Sequence, residues 1–187
     1  IAMAGGTMQA GFGVAGQTLQ IGSGVTLQGY GTLNQSTAAS ITNAGVILAD
    51  TPAQTLTISP TSFTNTGTLS LTGGTMTVGA ASWSNTGNFN VGPGTVLNIG
   101  GNVVGALGTF NRTGGSVNVS GTIDNTGKTL DISSSGIFGT GGLTSLTGTI
   151  SGGSVVSDGV TALTGGTLSG VTLGDATHPS FTFNGVV

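Results

Sequence analysis

The chain is 187 residues long, with 38 glycines, no cysteine and a formal net charge of −3, set by five aspartates against one arginine and one lysine. Two cations cannot neutralise a track of phosphates, which excludes nucleic-acid binding, and no stretch approaches the roughly 18 unbroken apolar residues of a membrane span. Without cysteine there is no disulfide frame and no thiolate metal site; with 36% hydrophobic and 4% charged residues the chain is neither a disordered polyelectrolyte nor an ordinary soluble domain.

Glycine and β-branched residues interrupt every window long enough for a helix, so the predicted elements are short strands closed by Gly, Ser or Asn. Residues 1–23 hold no clear phase and are read as an N-terminal edge coil. The chain opens at Ile1 with neither an initiator methionine nor a signal-peptide pattern, as expected of a processed product or an excised segment. Two strand-like pieces follow, Val25-Thr26-Leu27 and Gly31-Thr32-Leu33. Strands of alternating polarity are then predicted at 55–58, 75–78, 116–119 and 129–132. No linker and no shift of composition divides the chain, so residues 1–187 are expected to form a single β-solenoid domain.

The organisation lies in a period. Asn43, Asn65, Asn85 and Asn125 recur at one or two multiples of about 20 residues, and each is followed two positions later by Gly45, Gly67, Gly87 or Gly127. Apolar positions fall into three interleaved columns. The first runs Ile41, Phe63, Trp83, Val104, Ile123, Leu143, Leu163; the second Ile47, Leu69, Phe89, Phe110, Leu130, Ile150, Val171; the third Leu56, Met76, Leu97, Val117, Ile137, Val156. Successive members of each column stand about 20 residues apart. Three strands per coil of about 20 residues predict an all-β, three-faced parallel solenoid of about nine coils, some 43 Å long at about 4.8 Å per coil.

Alternation sends the column residues inward and their neighbours outward. Asn65 and Asn85 stand two residues after Phe63 and Trp83, so their amides should turn inward and stack along the axis. The glycines that follow are expected to supply a positive φ at the corner. Phe63, Trp83, Phe89 and Phe110 are assigned to the core, leaving Tyr30 and Phe138 as the aromatics expected at the surface. Outward pairs flank the second column: Thr68 and Ser70, Asn88 and Asn90, Thr109 and Asn111, Thr129 and Asp131, and Thr149 and Ser151. Such a grid is a candidate binding face for ice or glycan.

Units such as Phe63-Thr-Asn-Thr-Gly-Thr-Leu-Ser-Leu71, Trp83-Ser-Asn-Thr-Gly-Asn-Phe-Asn-Val91 and Ile123-Asp-Asn-Thr-Gly-Lys-Thr-Leu-Asp-Ile132 resemble the repeats of filamentous-haemagglutinin-like proteins and autotransporter passengers. The resemblance covers most of the chain after Gly24 as a pattern, and implies a right-handed parallel β-helix displayed by bacteria as an adhesin or matrix component. This sequence departs from that pattern in having no membrane-barrel segment, no clear secretion domain and no amphipathic capping helix.

Catalytic chemistry is hard to place. His178 is the lone histidine and reads as a loop residue beside Asp175, with no nucleophile arguable near it. The five aspartates are scattered, where a carbohydrate-active β-helix needs a carboxylate cluster; Arg112 and Asp131 are expected to form a surface ion pair. The Gly-Gly pairs read as corners, since a phosphate cradle needs a strand-to-helix turn and usually a lysine. Asn34 and Asn111 match glycosylation acceptors by chance. The expectation is a non-enzymatic extracellular structural or adhesive segment at a bacterial surface, without cofactor or metal. It is expected to associate end to end through its uncharged termini and to meet a glycan or a host or cell surface. The alternatives are an ice- or glycan-binding module and, behind it, a carbohydrate-active β-helix enzyme.

Overall fold

Every ladder among the described residues is parallel, which three short strands per turn make unavoidable: each strand's partner is the same face of the next coil. The computed structural model describes residues 1–184, so the last three residues of the apolar stretch Phe181–Val187 fall outside it. It is an all-β solenoid, with no helix among the described residues.

The first face is a sheet of eight strands, from Thr18–Ile21 through Ser40–Asn43, Ser62–Asn65 and Ser82–Asn85 to Thr167–Ser169. Its inward column is Leu19, Ile41, Phe63, Trp83, Val103, Ile123, Ile150 and Leu168, nearly evenly spaced as far as Ile123. The coils number eight rather than nine, and average about 21 residues. Seven intervals at about 4.8 Å make this sheet about 34 Å long.

The second and third faces begin as single bent strands, Thr26–Gln35, Val46–Ile58 and Thr68–Val78, that turn the corner without leaving the ladder. The two pieces expected around Val25 and Gly31 are halves of the first of these. Beneath it, Ala2–Ala10 adds an edge strand, so the unphased start of the chain is also β-structure. Further along, the bent strands divide into Asn88–Val91 with Val96–Ile99, and Thr109–Arg112 with Ser116–Val119.

The core follows the columns as far as Ile123. Ile47, Leu69, Phe89 and Phe110 pair in register on the second face, and Leu56, Met76, Leu97 and Val117 on the third. One residue of the first column is displaced: Val103, fully buried, pairs with Trp83, and Val104 is exposed.

Beyond Ile123 the expected columns fail. The coil from Ile123 to Ile150 is about seven residues longer than its predecessors, because residues 133–142 form an inserted loop. Leu143 and Leu163 therefore do not continue the first column, which passes through Ile150 and Leu168 instead. Leu130 pairs with Val155, not with Phe110, and Ile150 leaves the second face for the first. Val171 has no place in the second column, whose next pairing is Val155 with Leu173. On the third face Val119 pairs with Leu146, while Ile137 lies in the inserted loop and Val156 pairs with Asp131.

Phe138, expected at the surface, is fully buried. It packs edge-on against Phe110 at 5.5 Å, below the Phe89–Phe110 contact at 4.8 Å. The insert thus supplies the ring that the second column lacks there, and aromatic pairs of this geometry add roughly 0.5–1.5 kcal/mol to the area they bury. Tyr30 is half-buried, and Phe12 is the fully exposed aromatic.

Candidate functional site

Three polar features have enough regularity or concavity to be weighed as sites: the asparagine column, the outward grid and a cleft on the second face. The asparagine column begins where Ile21 pairs with Asn43 and runs on through Asn65 and Asn85, all three buried. Asn43 Nδ2 donates to Asn65 Oδ1 at 2.6 Å, Asn65 Nδ2 to Asn85 Oδ1 at 2.7 Å, and Asn85 Nδ2 to the Leu107 carbonyl at 2.8 Å. The amides cannot be turned round, because Gly45 N–H and Gly87 N–H donate to the oxygens of Asn43 and Asn85. Asn125 is equally buried but stands apart, donating to the carbonyls of Ser154 and Gly152. The column is a structural spine with every amide occupied.

The corner glycines do a different job from the one expected. Gly127 has φ +71°, but Gly45, Gly67 and Gly87 are not in the left-handed region. What excludes a side chain there is the coil below: a Cβ on Gly87 would stand 1.9 Å from the Gly67 carbonyl oxygen, and one on Gly67 2.1 Å from that of Gly45. The requirement is steric, set by backbone stacking along one corner.

The outward grid is real but short. Thr68, Asn88 and Thr109 form one row and Ser70, Asn90 and Asn111 the next, in register over three coils, with Asn111 Nδ2 donating to Asn90 Oδ1 at 3.0 Å. Before it the same positions are Val46 and Leu48. Thr129 and Asp131 do not extend it, because they belong to a separate sheet with Ser154 and Val156, and Thr149 and Ser151 lie on the first face.

That separation opens the cleft. Strand Thr109–Arg112 pairs only with Asn88–Val91, and Thr129–Asp131 only with Ser154–Val156. At the corner where the two strands begin lies a cavity of about 660 Å³, lined among others by Leu107, Thr109, Thr129, Leu130 and Ile137, while beneath Phe110 and Arg112 the inserted loop takes the next place, a Cβ on Gly139 standing 3.6 Å from the Phe110 carbonyl oxygen. Lys128 crosses its mouth, Nζ reaching the carbonyls of Gly105 at 3.2 Å and of Asp124 at 3.3 Å. The far end is closed by the inserted loop, whose Ile137 N–H donates to the Asp131 carbonyl.

Arg112 governs that closed end. It stands in register with Val91, at an inward position that Ala49 and Leu71 fill in earlier coils. Its guanidinium makes no ion pair with Asp131. It donates instead to the carbonyls of Gly114, Gly115 and Gly142 and to Thr144 Oγ1. Burial lowers its pKa from the ordinary value, but a guanidinium keeps its charge and five donors, which suits it to gather carbonyls at the insert's base.

The carboxylates are held by their own turns. Asp131 Oδ1 accepts from Ser133 N–H, and Asp158 Oδ1 from the N–H groups of Val160 and Thr161. Hydrogen bonds from Thr126 hold Asp124 below its usual pKa, and those from Thr161 do the same for Asp158. At Asp175 the Thr177 hydroxyl, joined by the Thr177 and His178 N–H groups, brings the carboxyl down to about 2. His178 Nδ1 lies 3.0 Å from the same oxygen, in an exposed loop. Among the described residues there is no group of three metal-ligating side chains, and no helix is long and apolar enough to cross a membrane.

The cleft was not foreseen from the sequence, which placed Leu130 beneath Phe110 and Arg112 at the surface. Comparison with protein-family models, with curated proteins and with solved structures gave no match.

Proposed function

We propose that the protein is a non-enzymatic structural or adhesive scaffold, a length of extracellular β-solenoid in the manner of the bacterial surface repeats its sequence resembles, and that copies or further coils meet end to end. The observation that carries this reading is the strand Ala2–Ala10. It pairs on one side with Thr26–Gln35, and no strand among the described residues covers its other side. It has nine residues and no charged side chain, and an open edge without charge or proline is a template for pairing with another strand.

The carboxylate geometry supports the non-enzymatic part. Acid–base cleavage of a glycan needs two carboxylates facing one bond, whereas Asp124, Asp158 and Asp175 each accept hydrogen bonds from the turn they close. The spine of asparagines and the aliphatic columns commit the inward residues to coil-to-coil stacking, the source of stability in repeat proteins. A head-to-tail contact between solenoid ends is heterologous and propagates unless its rotation closes. Electron microscopy of the purified chain tests the proposal: rods many times longer than one solenoid support it, and uniform particles of single-chain size at all concentrations refute it.

A further inference from the structure

We propose that the cavity at the corner of Thr109 and Thr129 binds a small neutral aliphatic amide, whose N–H stands in for an asparagine missing from the spine. This is a binding activity beyond the scaffold role and independent of how the ends associate.

The spine sets the chemistry. One coil turns its corner with Ser84-Asn85-Thr86-Gly87; the next turns it with Val104-Gly105-Ala106-Leu107-Gly108, one residue longer and without asparagine. Asn85 Nδ2 therefore meets the Leu107 carbonyl, where in earlier coils an amide oxygen accepts. The amide of the coil after that is Asn125, only 2% exposed. Its nitrogen is directed at the following coil, donating to the carbonyls of Gly152 and Ser154. Its oxygen is thereby turned toward the preceding coil, as Asn85 Oδ1 is turned toward Asn65. No asparagine stands there to donate. Among the described residues nothing donates to Asn125 Oδ1, and Asn125 lines the cavity beside Leu107. A buried acceptor without a donor is destabilising, and a ligand N–H relieves it in the way Asn65 relieves Asn85.

The walls select the rest of the ligand. Leu107, Ile123, Leu130 and Ile137 are aliphatic, and the lining contains no Trp, Tyr or Phe on which a sugar ring could stack. An alkyl chain gains by burial against them. At the mouth stand Lys128 and Asp124, so an ion of either sign meets a like charge and a neutral molecule does not. The volume of about 660 Å³ lies within the range of roughly 300–1,000 Å³ that small-molecule sites occupy.

The test uses the full isotope-labelled chain and two probes, hexanamide and methyl pentanoate, which match in heavy atoms while the ester has no N–H. Saturable shifts of the Asn125 side-chain amide and of the Leu107, Leu130 and Ile137 methyl groups are expected at about millimolar hexanamide. The ester should bind about tenfold more weakly, because it leaves Asn125 Oδ1 without a donor. The methyl groups of Leu69 and Leu97, fully buried in the regular core, should not move. The proposal is overturned if no saturable shift occurs, so that water alone meets the Asn125 oxygen. It is equally overturned if amide and ester bind alike, or if the shifts fall on the edge strand Ala2–Ala10 instead. Both probes are compared on the unaltered protein, so the result does not depend on the folding of any variant.

Discussion

Asn65→Asp changes one atom in the middle of the spine, and the surrounding contacts fix its cost. Asn65 is fully buried; its Nδ2 donates to Asn85 Oδ1 at 2.7 Å and to the Gly67 carbonyl at 3.2 Å. A carboxylate turns both contacts into oxygen against oxygen, while keeping the hydrogen bond that Asn43 Nδ2 donates. Two lost hydrogen bonds cost about 1 kcal/mol each, and an unpaired buried charge about 3–5 kcal/mol. One retained donor offsets part of this, giving a loss of about 4 kcal/mol at pH 7, a large share of the ~5–15 kcal/mol that holds a domain together. The sign with pH is opposite to that of a paired aspartate. Burial without a cation raises the folded-state pKa above the unfolded value of about 3.9, so the penalty is absent below that value and grows as pH rises toward the folded pKa, by at most ~1.4 kcal/mol per unit. Protonated, the group can also donate to Asn85 again. Urea unfolding of variant and parent at pH 3.5, 5 and 7 measures this. The half-exposed Asn98→Asp serves as control, since Asn98 bridges Thr77 and Asn118 on the outer surface. A penalty independent of pH, or one no larger than that at Asn98, refutes the spine.

Gly87→Ala should destabilise by about 3 kcal/mol, because the new methyl group meets the Gly67 carbonyl at 1.9 Å and the coils must part locally; equal melting temperatures for variant and parent would show that the corner can yield. Leu69→Asp should abolish cooperative unfolding, whereas Ser70→Asp on the outer face should change stability by less than about 0.5 kcal/mol, both read by denaturant titration. The Asp175 carboxyl, lowered to about 2, contributes stability that is present above its unfolded value of about 3.9 and is lost as pH falls through about 2. Carbon-detected titration of Asp175 should therefore give a midpoint near 2, and a midpoint near 4 would dissolve the turn around Thr177 and His178.

The regular half of the fold was readable because its period is nearly constant. From Ile41 to Ile123, even steps of about 20 residues and strict alternation place Phe63, Leu69, Met76, Trp83, Phe89, Leu97 and Val117 in the core, as the ladders do. The Val103–Val104 ambiguity had a solution in the same arithmetic, since position 103 lies midway between Trp83 and Ile123 and position 104 does not. The second half was not readable by period alone. An insertion rich in Ser and Gly looks like any other corner, and a fixed step carries every later residue to the wrong face. The adjacent pair Ile137 and Phe138 carried no signal of its own, since neighbouring apolar residues also occur within strands, at Ile47-Leu48 and Val155-Val156. The cleft depends on that same insertion, so it was hidden with it. Why Gly45, Gly67 and Gly87 are glycine lies beyond sequence reasoning of this kind: left-handed backbone and close stacking both demand the same residue, and only the coil below tells them apart.

End-to-end association is the claim on which the functional reading turns, and light scattering across a dilution series measures it directly, with Thr7→Pro as the comparison. Ser36 N–H donates to the Ala10 carbonyl, so alternation turns the Thr7 backbone to the open side of the edge strand, where proline removes a donor that only a further strand would use. Pairing through this edge predicts a mass that climbs with concentration for the parent chain and stays at 17.9 kDa for the variant. A parent that remains at that mass at the highest concentration, or a variant that assembles as well as the parent, would contradict it.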